Sequence, residues 1–435
     1  MRHPQGEESR FRYRPLDQNA REIRLFRLGQ IEDPSAPIQL TIKHVDLDEQ
    51  PDFEALSYTW GDERPTYEIL IREVEDVVHG CFTVRQNLHD FLLMQMEKKG
   101  WDRSTWFWVD QICINQTDLG ERNHQVGQMA ELYSSARRVI VWLGPCGDGS
   151  DDLLDVLGED AEFECSSETL RLLAERRFDS KDYDSDHLNQ HLFTHIKALR
   201  SLLTRPYWFR VWIIQEVCLA KEVLVCVGSK SIACNWLVHN AQDLFSLPRR
   251  SKEFQGYFTD HRIEALRQSR KAYLRSGSAR LDWWSALNYV DRCECSDPRD
   301  RFYGMMALVR KSLRVEVRYD EDYSLQDIVH EIYRMIIVTG EVWIPGISKY
   351  ILVHTDRMMY MIEQSEISGS TNFSATRKFL RRELCRSYVH KTAGVLANWP
   401  TAAYMYLHVR RQDGLSGKVS RFTRRRLEKY VPSIL

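Results

Sequence analysis

One carboxylate lies in an unusually apolar run of this sequence, and it is the clearest candidate for a catalytic residue. Glu216 stands in RPYWFRVWIIQEVCLA, where large apolar residues occur on nearly every side of a predicted helix. An unpaired carboxylate is costly to bury, so Glu216 requires a cationic partner or a function. Both interpretations stay open: an ion pair with Arg205, Arg210 or a more distant arginine, or a functional carboxylate in an aromatic-walled cleft. Trp212 precedes Glu216 by one turn and would share its face.

Polar and aromatic residues also cluster after two predicted strands. In a parallel α/β sheet, ligands bind at the carboxyl ends of the strands, so we expect these side chains to line the mouth of a pocket. The candidate catalytic residue is Glu216, and the candidate substrate-binding residues are Ser57, Tyr58, Trp60, Asp62, Asp110, Asn115 and Trp212.

A structural role is the alternative for several of these polar residues. Asp110, Asn115 and Gln116 stand where a strand turns into a helix, and their side chains could satisfy backbone groups there. For Asn115 and Gln116, taken one at a time, this alternative is the favoured interpretation. The spacing of Cys113 to His124 has no mechanical meaning for a thiol nucleophile, and we expect Cys113 to be a semi-buried free cysteine.

Motifs for common cofactors are not found in the sequence. Cys293 and Cys295 lack a second pair at zinc-site spacing, so no metal is predicted. Neither common glycine-rich phosphate loop occurs, which argues against an NTPase or a Rossmann dehydrogenase. We expect no bound cofactor.

Composition and charge are those of an ordinary globular protein. Apolar residues make up 43% of the 435 residues, charged residues 28%, and the net charge is -2, so nucleic acid is not an expected partner. The most apolar runs, RVIVWLG and VWIIQEVCLA, are too short to span a bilayer, and no membrane span is predicted. The charged start MRHPQGEESRFRYR and the scattered cysteines predict a reduced, cytoplasmic protein.

The order of predicted elements favours an α/β fold. Alternation over 22–25 and 38–42, separated by DPSAP, predicts an antiparallel hairpin. The segment TWFWVD predicts a strand, Asp118 and Glu121 a helix start, and RVIVWLGP a further strand, which together form a βαβ unit with a parallel sheet. Pro206 predicts a first helical turn, and the helix is expected to run to about Ala220, followed by a strand in EVLVCVG.

Composition shifts predict a division of the chain. Residues 147–187 hold a run of acidic side chains, fourteen against four basic ones between Asp148 and Asp186, which predicts a solvated insertion. We expect an N-terminal β-hairpin extension at 1–52, the main domain at 53–228, a mostly helical accessory region at 240–345, and a region of unknown structure at 346–435.

Three blocks of the sequence resemble a known family. They are FEALSYTWGD, WFWVDQICINQTDLGERNHQVGQMAELYSSARRVIVWLG and RPYWFRVWIIQEVCLAKEVLVCVG. In order and separation they resemble the motif blocks of the fungal heterokaryon incompatibility (HET) domain, over roughly residues 50–228. The flanks RPLDQNAREIRLFRL and CSDPRDRFYGMMAL also resemble segments that accompany the domain.

The resemblance implies a fungal intracellular protein that triggers growth arrest and cell death when genetically different cells fuse. Its incompatibility partner would be an unidentified protein, and homo-oligomers are one implied form. The family is thought to be remotely related to the TIR fold, a flavodoxin-like sheet, which agrees with the βαβ unit. Some TIR domains hydrolyse NAD with a glutamate four residues after a tryptophan, the spacing of Trp212 and Glu216.

Two functional hypotheses follow. In the first, NAD or a related nucleotide is the substrate and Glu216 stabilises the cation that forms as nicotinamide leaves. Tyr58, Trp60 or Trp212 would then stack on an aromatic ring. Ribose hydroxyls would be held by Asp110 and Asn115. In the second, the blocks build a non-enzymatic signalling and oligomerising module with Glu216 in an interior ion pair. An open cleft beside Glu216 would favour the first, and an arginine on it in a closed core the second.

Overall fold

The described chain folds around one mixed β-sheet. A computed structural model describes residues 10–29, 36–75, 80–98, 102–157, 197–234, 261–276 and 293–325, with a few single positions up to 335. Its strands are β1 (Glu22–Leu28), β2 (Gln39–Asp46), β3 (Glu54–Tyr58), β4 (Thr66–Glu73), β5 (Gly80–Arg85), β6 (Phe107–Trp108), β7 (Arg138–Trp142), β8 (Val223–Val227) and β9 (Lys230–Ala233). They form one sheet in the order β5-β4-β2-β1-β6-β3-β7-β8-β9.

Helices flank this sheet, which confirms the predicted α/β class. In chain order they are α1 (Gln86–Glu97), α2 (Asp110–Cys113), α3 (Leu119–Ser135), α4 (Ser150–Leu157), α5 (Ile213–Cys218), α6 (His261–Ser276) and α7 (Asp300–Tyr303). Among the described residues, no helix is long and apolar enough to cross a membrane.

The predicted N-terminal hairpin is confirmed, and it lies inside the sheet. Strand β1 is antiparallel to β2, with Phe26 opposite Ile42, and its other edge pairs with β6, with Phe26 opposite Phe107. Leu25 and Phe26 are completely buried. The hairpin therefore supplies central strands of the sheet and does not merely cover one of its faces.

Two strands that the sequence analysis did not predict extend the sheet beyond the hairpin. Strand β4 pairs in parallel with β2, and β5 pairs antiparallel with β4. Ile69 and Ile71 alternate along β4 and are fully buried. Because β4 and β5 contact the rest of the sheet through β2, the hairpin joins two parts of the fold.

The parallel arrangement predicted for the motif blocks holds for four neighbouring strands. Strands β6, β3, β7 and β8 are mutually parallel, and β9 closes this side as an antiparallel edge. The Asp118 side chain accepts a hydrogen bond from the Glu121 amide at 3.0 Å, so the predicted helix start is confirmed. Helix α3 then buries Met129, Leu132 and Tyr133.

The single helix predicted from Pro206 to about Ala220 is wrong. The chain forms a 3₁₀ turn over Pro206–Phe209, becomes extended at Arg210 (φ -69°, ψ 137°) and re-enters a helix at Ile213. The interruption has a tertiary cause: the Val211 amide donates to the Glu294 carbonyl at 3.2 Å, and the Glu294 amide donates to the Phe209 carbonyl at 2.5 Å. Arg210 and Glu294 thus form an isolated parallel β-bridge.

The predicted accessory regions are described only in part. Helix α4 begins the acidic insertion, whereas residues 158–193 lie outside the described residues, together with the helix expected in SSETLRLLAERR. Helices α6 and α7 fall in the region predicted to be helical, and α7 begins at the DPRD signal. Residues 346–435 lie outside the described part, and the proposed domain boundaries stay a prediction.

Candidate functional site

Glu216 meets the end of the central strand β3 inside the protein. Its side chain accepts a hydrogen bond from the Ser57 hydroxyl, and the residue is 1% exposed. The Ser57 oxygen also lies 2.7 Å from the Tyr207 hydroxyl. Because the Ser57 proton points to Glu216, Tyr207 is the donor in that second bond. The predicted convergence of Ser57 and Glu216 therefore exists as a buried hydrogen-bonded chain.

Arg210 is the cationic partner of Glu216. Its Nη1 lies 3.2 Å from Oε2 of Glu216, and its Nη2 lies 3.5 Å from Oε1. Desolvation acts to lower the pKa of Arg210, but the carboxylates of Glu216 and Asp110 outweigh it and hold the pKa above its usual value. Arg205, the other candidate, donates instead to the carbonyls of Leu143 (2.8 Å) and Pro145 (3.0 Å). The ion-pair interpretation thus has its partner in Arg210.

Asp110 forms the second carboxylate of the site. Its side chain accepts hydrogen bonds from the Trp60 indole and the Gln111 amide, both at 2.8 Å. Burial raises the pKa of Asp110 to about 6, an effect opposed by Arg210 and by the Trp60 hydrogen bond and reinforced by the charge of Glu216. One guanidinium therefore interacts with two carboxylates from different motif blocks.

Three buried tyrosines line this cluster. Tyr58 donates to Gln111 Oε1 at 3.0 Å, and Tyr133 donates to the Leu56 carbonyl at 3.2 Å. Desolvation holds the pKa values of Tyr58, Tyr133 and Tyr207 well above the usual value, so all three remain neutral donors. Sequence reasoning missed Tyr133 and Tyr207, whose apolar surroundings identify them only as core residues.

Other predicted site residues point elsewhere. Asp62 is exposed. Asn115 accepts from the amide (3.2 Å) and hydroxyl (2.7 Å) of Thr117, and Gln116 donates to the Asp110 carbonyl at 3.0 Å. All three bonds are local loop contacts, which agrees with the structural role that was the alternative for Asn115 and Gln116. The Trp212 side chain is hydrogen-bonded to Asp300.

No metal or thiol chemistry is apparent in the described part of the chain. Within it, no three His, Cys, Asp or Glu side chains are grouped so as to hold a metal ion. Cys113 is buried, and burial raises the pKa of its thiol to about 12. His124, which a thiol nucleophile at Cys113 would need as its base, instead lies within hydrogen-bond distance of the Gln128 side-chain amide. Cys113 is therefore a protonated core thiol.

A second buried ion pair supports the loop that carries Asn115. Arg24 of β1 donates to both Glu121 oxygens, at 2.6 and 2.9 Å, and to the Cys113 carbonyl at 3.0 Å. Glu121 also accepts from the Asn115 amide at 2.6 Å. The two side chains are 0% and 4% exposed. The hairpin therefore fixes the loop after β6 through a buried, bidentate ion pair.

We expect Asp110→Asn to change the pH dependence of stability and leave the fold intact. The folded-state pKa of Asp110, about 6, exceeds the ordinary value of 3.8. The contribution of this carboxyl group to the stability of the folded state therefore decreases as pH rises from 3.8 to about 6. The variant lacks this titration. When pH is raised from about 4 to 7, its free energy of unfolding should therefore rise by about 2 kcal/mol relative to that of the wild type. Urea unfolding at both pH values measures the difference.

Asp62→Asn is the matched control, because it makes the same chemical change at an exposed position, after the neighbouring strand β3. Its stability should follow the wild type at both pH values. An Asp110→Asn variant that tracks the wild type equally closely would show that this carboxylate is not buried in the cluster.

Part of the chain matches a known protein family. Residues 53–216 match the family described as heterokaryon incompatibility protein (HET). We call this matched span the HET domain. Ser57, Asp110, Arg210 and Glu216 all lie within this span. The hairpin and residues 293–325 lie outside it and pack against it.

A curated relative supports the same assignment. Over 207 residues the chain is 30% identical to "Heterokaryon incompatibility protein 6, OR allele" of Neurospora crassa. The aligned part covers 42% of this chain and 30% of that protein's length. No solved structure matches the chain, so the relation of its HET domain to the TIR fold stays a prediction.

Proposed function

We propose that this protein acts in heterokaryon incompatibility, as an intracellular factor of non-self recognition that triggers growth arrest and cell death. The HET domain at 53–216 and the 30% identity to an incompatibility protein support this proposal. Within it, the HET domain acts as a non-enzymatic signalling module whose partner is another protein.

The observation that carries the signalling role is the closed state of Glu216. Its carboxylate is 1% exposed and receives both the Arg210 guanidinium and the Ser57 hydroxyl. A cationic substrate would have to displace Arg210 and enter a buried site. A carboxylate that is already neutralised in this way is suited to holding elements together and not to stabilising a new cation.

The same cluster gives the module a defined shape. Arg210 contacts Glu216 on α5 and lies within electrostatic reach of Asp110 on α2, while Ser57 brings in β3. All three motif blocks are thereby joined through one buried network. Such a network favours one arrangement of the blocks over others, which a surface recognised by a partner protein requires.

NAD hydrolysis is the second candidate, and one observation favours it. Ser57, Trp60, Asp110 and Glu216 do assemble at the carboxyl ends of β3 and β6, where α/β proteins bind ligands. In this reaction water adds to the ribose carbon, the bond to nicotinamide breaks, and ADP-ribose and a proton are formed. It requires Arg210, whose side chain is 17% exposed, to move off the carboxylate first.

Inducible expression in a fungal host tests the proposal. The discriminating variant replaces Arg210 by Met and Glu216 by Leu together, because apolar replacement of a whole buried pair tends to preserve the fold. We expect wild type and double variant to kill equally, as counted with a vital dye, with cellular NAD falling only after death. Asp62→Asn serves as the control for expression level.

Two results would contradict this function. Cells that grow normally while accumulating soluble wild-type protein would remove the effector role. A fall in NAD that precedes death, and that the double variant no longer causes, would replace the signalling module with the hydrolase.

A further inference from the structure

The backbone that carries Arg210 is held by residues from beyond the HET domain. Glu294 forms two backbone hydrogen bonds with this stretch, to Phe209 at 2.5 Å and from Val211 at 3.2 Å. These bonds account for the extended conformation at Arg210 between a 3₁₀ turn and α5. Without them, the chain from Pro206 could continue as the helix that its sequence predicts.

Asp300 fixes the next residue along this stretch. Its side chain is hydrogen-bonded to Trp212 and accepts a 2.6 Å bond from the Tyr319 hydroxyl. Tyr319 is in turn tied to α3, because its amide donates to the Asn123 side chain at 2.9 Å and the Arg122 guanidinium lies 3.8 Å from its ring centre. Asp300 thus connects Trp212 to a firmly packed part of the protein.

Close packing completes the enclosure. A Cβ built on Gly304 would lie 3.2 Å from Cγ2 of Val211, so the backbone after α7 rests directly on the residue that follows Arg210. Val211 itself is completely buried. Residues 209–212 are therefore contacted by Glu294, Asp300 and Gly304, which we call the 294–304 clamp.

We propose that the 294–304 clamp positions Arg210 over Glu216 and that its release uncovers the Glu216 carboxylate. The clamp holds the backbone on both sides of Arg210, at Phe209 and Val211, and also holds the Trp212 side chain. Arg210 reaches Glu216 only while that backbone stays extended, since a helical Arg210 would carry its side chain in a different direction. Asp300 and Glu294 are positioning residues, because neither touches the carboxylate.

The clamp is a built-in control point for either candidate function. A partner or a rearrangement that draws residues 294–304 away would free Arg210 and alter the surface around β3 and α2. The inference concerns the closed cluster itself, so it stands or falls independently of whether the HET domain signals or hydrolyses NAD.

Chemical labelling of Glu216 in the purified full-length protein tests the clamp. Carboxylates are coupled to glycine ethyl ester with a water-soluble carbodiimide, and the labelled peptides are quantified by mass spectrometry. The variants are Trp212→Phe, which removes the indole donor, and Asp300→Asn, which keeps the shape of the acceptor side chain but removes its charge and so weakens the bond. Burial raises the pKa of Asp300 to about 6, so labelling is done at pH 7, where the wild-type clamp is charged.

Two matched controls accompany these variants. Asp320→Asn makes the same chemical change in the same part of the chain, at a residue whose side chain pairs with Arg318 and not with residues 209–212. Glu121, another buried paired carboxylate, serves as an internal reference for general loosening of the fold.

We expect Glu216 labelling to rise roughly fivefold in both clamp variants, because the locally closed state is then stabilised by one hydrogen bond fewer or weaker. Labelling of Glu121 should stay constant, and Asp320→Asn should match the wild type. Unchanged Glu216 labelling in both clamp variants would overturn the inference. So would a parallel rise at Glu121, because the effect would then be general unfolding.

Discussion

A fragment that starts at Asp52 is expected to be insoluble. Removing β1 and β2 takes out the strands between β4 and β6, so β4 and β5 lose their connection to the sheet and β6 loses one partner. The strand edges exposed in this way are flanked by buried apolar residues, which favours aggregation. Soluble yield and size-exclusion chromatography of the fragment measure the outcome.

The fragment also loses the partner of a buried charge. Glu121 pairs with Arg24 of β1, and both side chains are almost completely buried. Removing one member of such a pair costs about 3 to 5 kcal/mol, a large part of the stability of a typical domain.

The matched control is a fragment that starts at Arg10, which keeps every described contact of the hairpin. It should be as soluble as the whole chain. If the Asp52 fragment proved monomeric and as heat-stable as the whole chain, the central position of the hairpin would be wrong.

Glu216→Gln is expected to destabilise the protein by about 3 kcal/mol. The substitution keeps the shape and part of the hydrogen bonding of the side chain but removes the charge that neutralises Arg210. Because Asp110 still lies near the guanidinium, we expect the lower end of the range for breaking a buried pair. Urea unfolding at pH 7 measures the change in the free energy of unfolding.

Removing both charges separates this effect from a general cost of substitution. The Arg210→Met, Glu216→Leu double variant removes the buried pair as a whole, and Asp110, which then lacks Arg210, is neutralised more easily by protonation. Its loss of stability should therefore be smaller than that of Glu216→Gln. A Glu216→Gln protein that is as stable as wild type, or more stable, would mean that the Glu216 carboxylate does not stabilise the folded protein as a partner of Arg210.

Local patterns predicted the elements that depend on local chemistry. Asp118 begins α3 because its side chain accepts a hydrogen bond from the Glu121 amide, and the alternating segments do form β1 and β2, although β1 is buried on both faces from Ile23 to Phe26. The convergence of Ser57 and Asp110 followed from strand ends alone. By contrast, the parallel pairing of β4 with β2 depends on residues about thirty positions apart, which periodicity does not encode.

The partner of Glu216 could not be chosen from the sequence for a related reason. Arg205 and Arg210 are both close to it along the chain, and a continuous helix would give neither a clear advantage. Arg210 is selected because Glu294, more than eighty residues later, holds the backbone extended at that point. The error in the predicted helix and the missing partner therefore have one cause.

Nicotinamide release from NAD tests the central claim, that the Glu216 carboxylate serves as the partner of Arg210. Purified full-length wild type and Glu216→Gln are incubated with NAD under identical conditions, and free nicotinamide is quantified by chromatography. We expect no release above the protein-free control from either sample. Release by the wild type that Glu216→Gln reduces roughly 100-fold, the loss expected for one transition-state electrostatic contact, would contradict it.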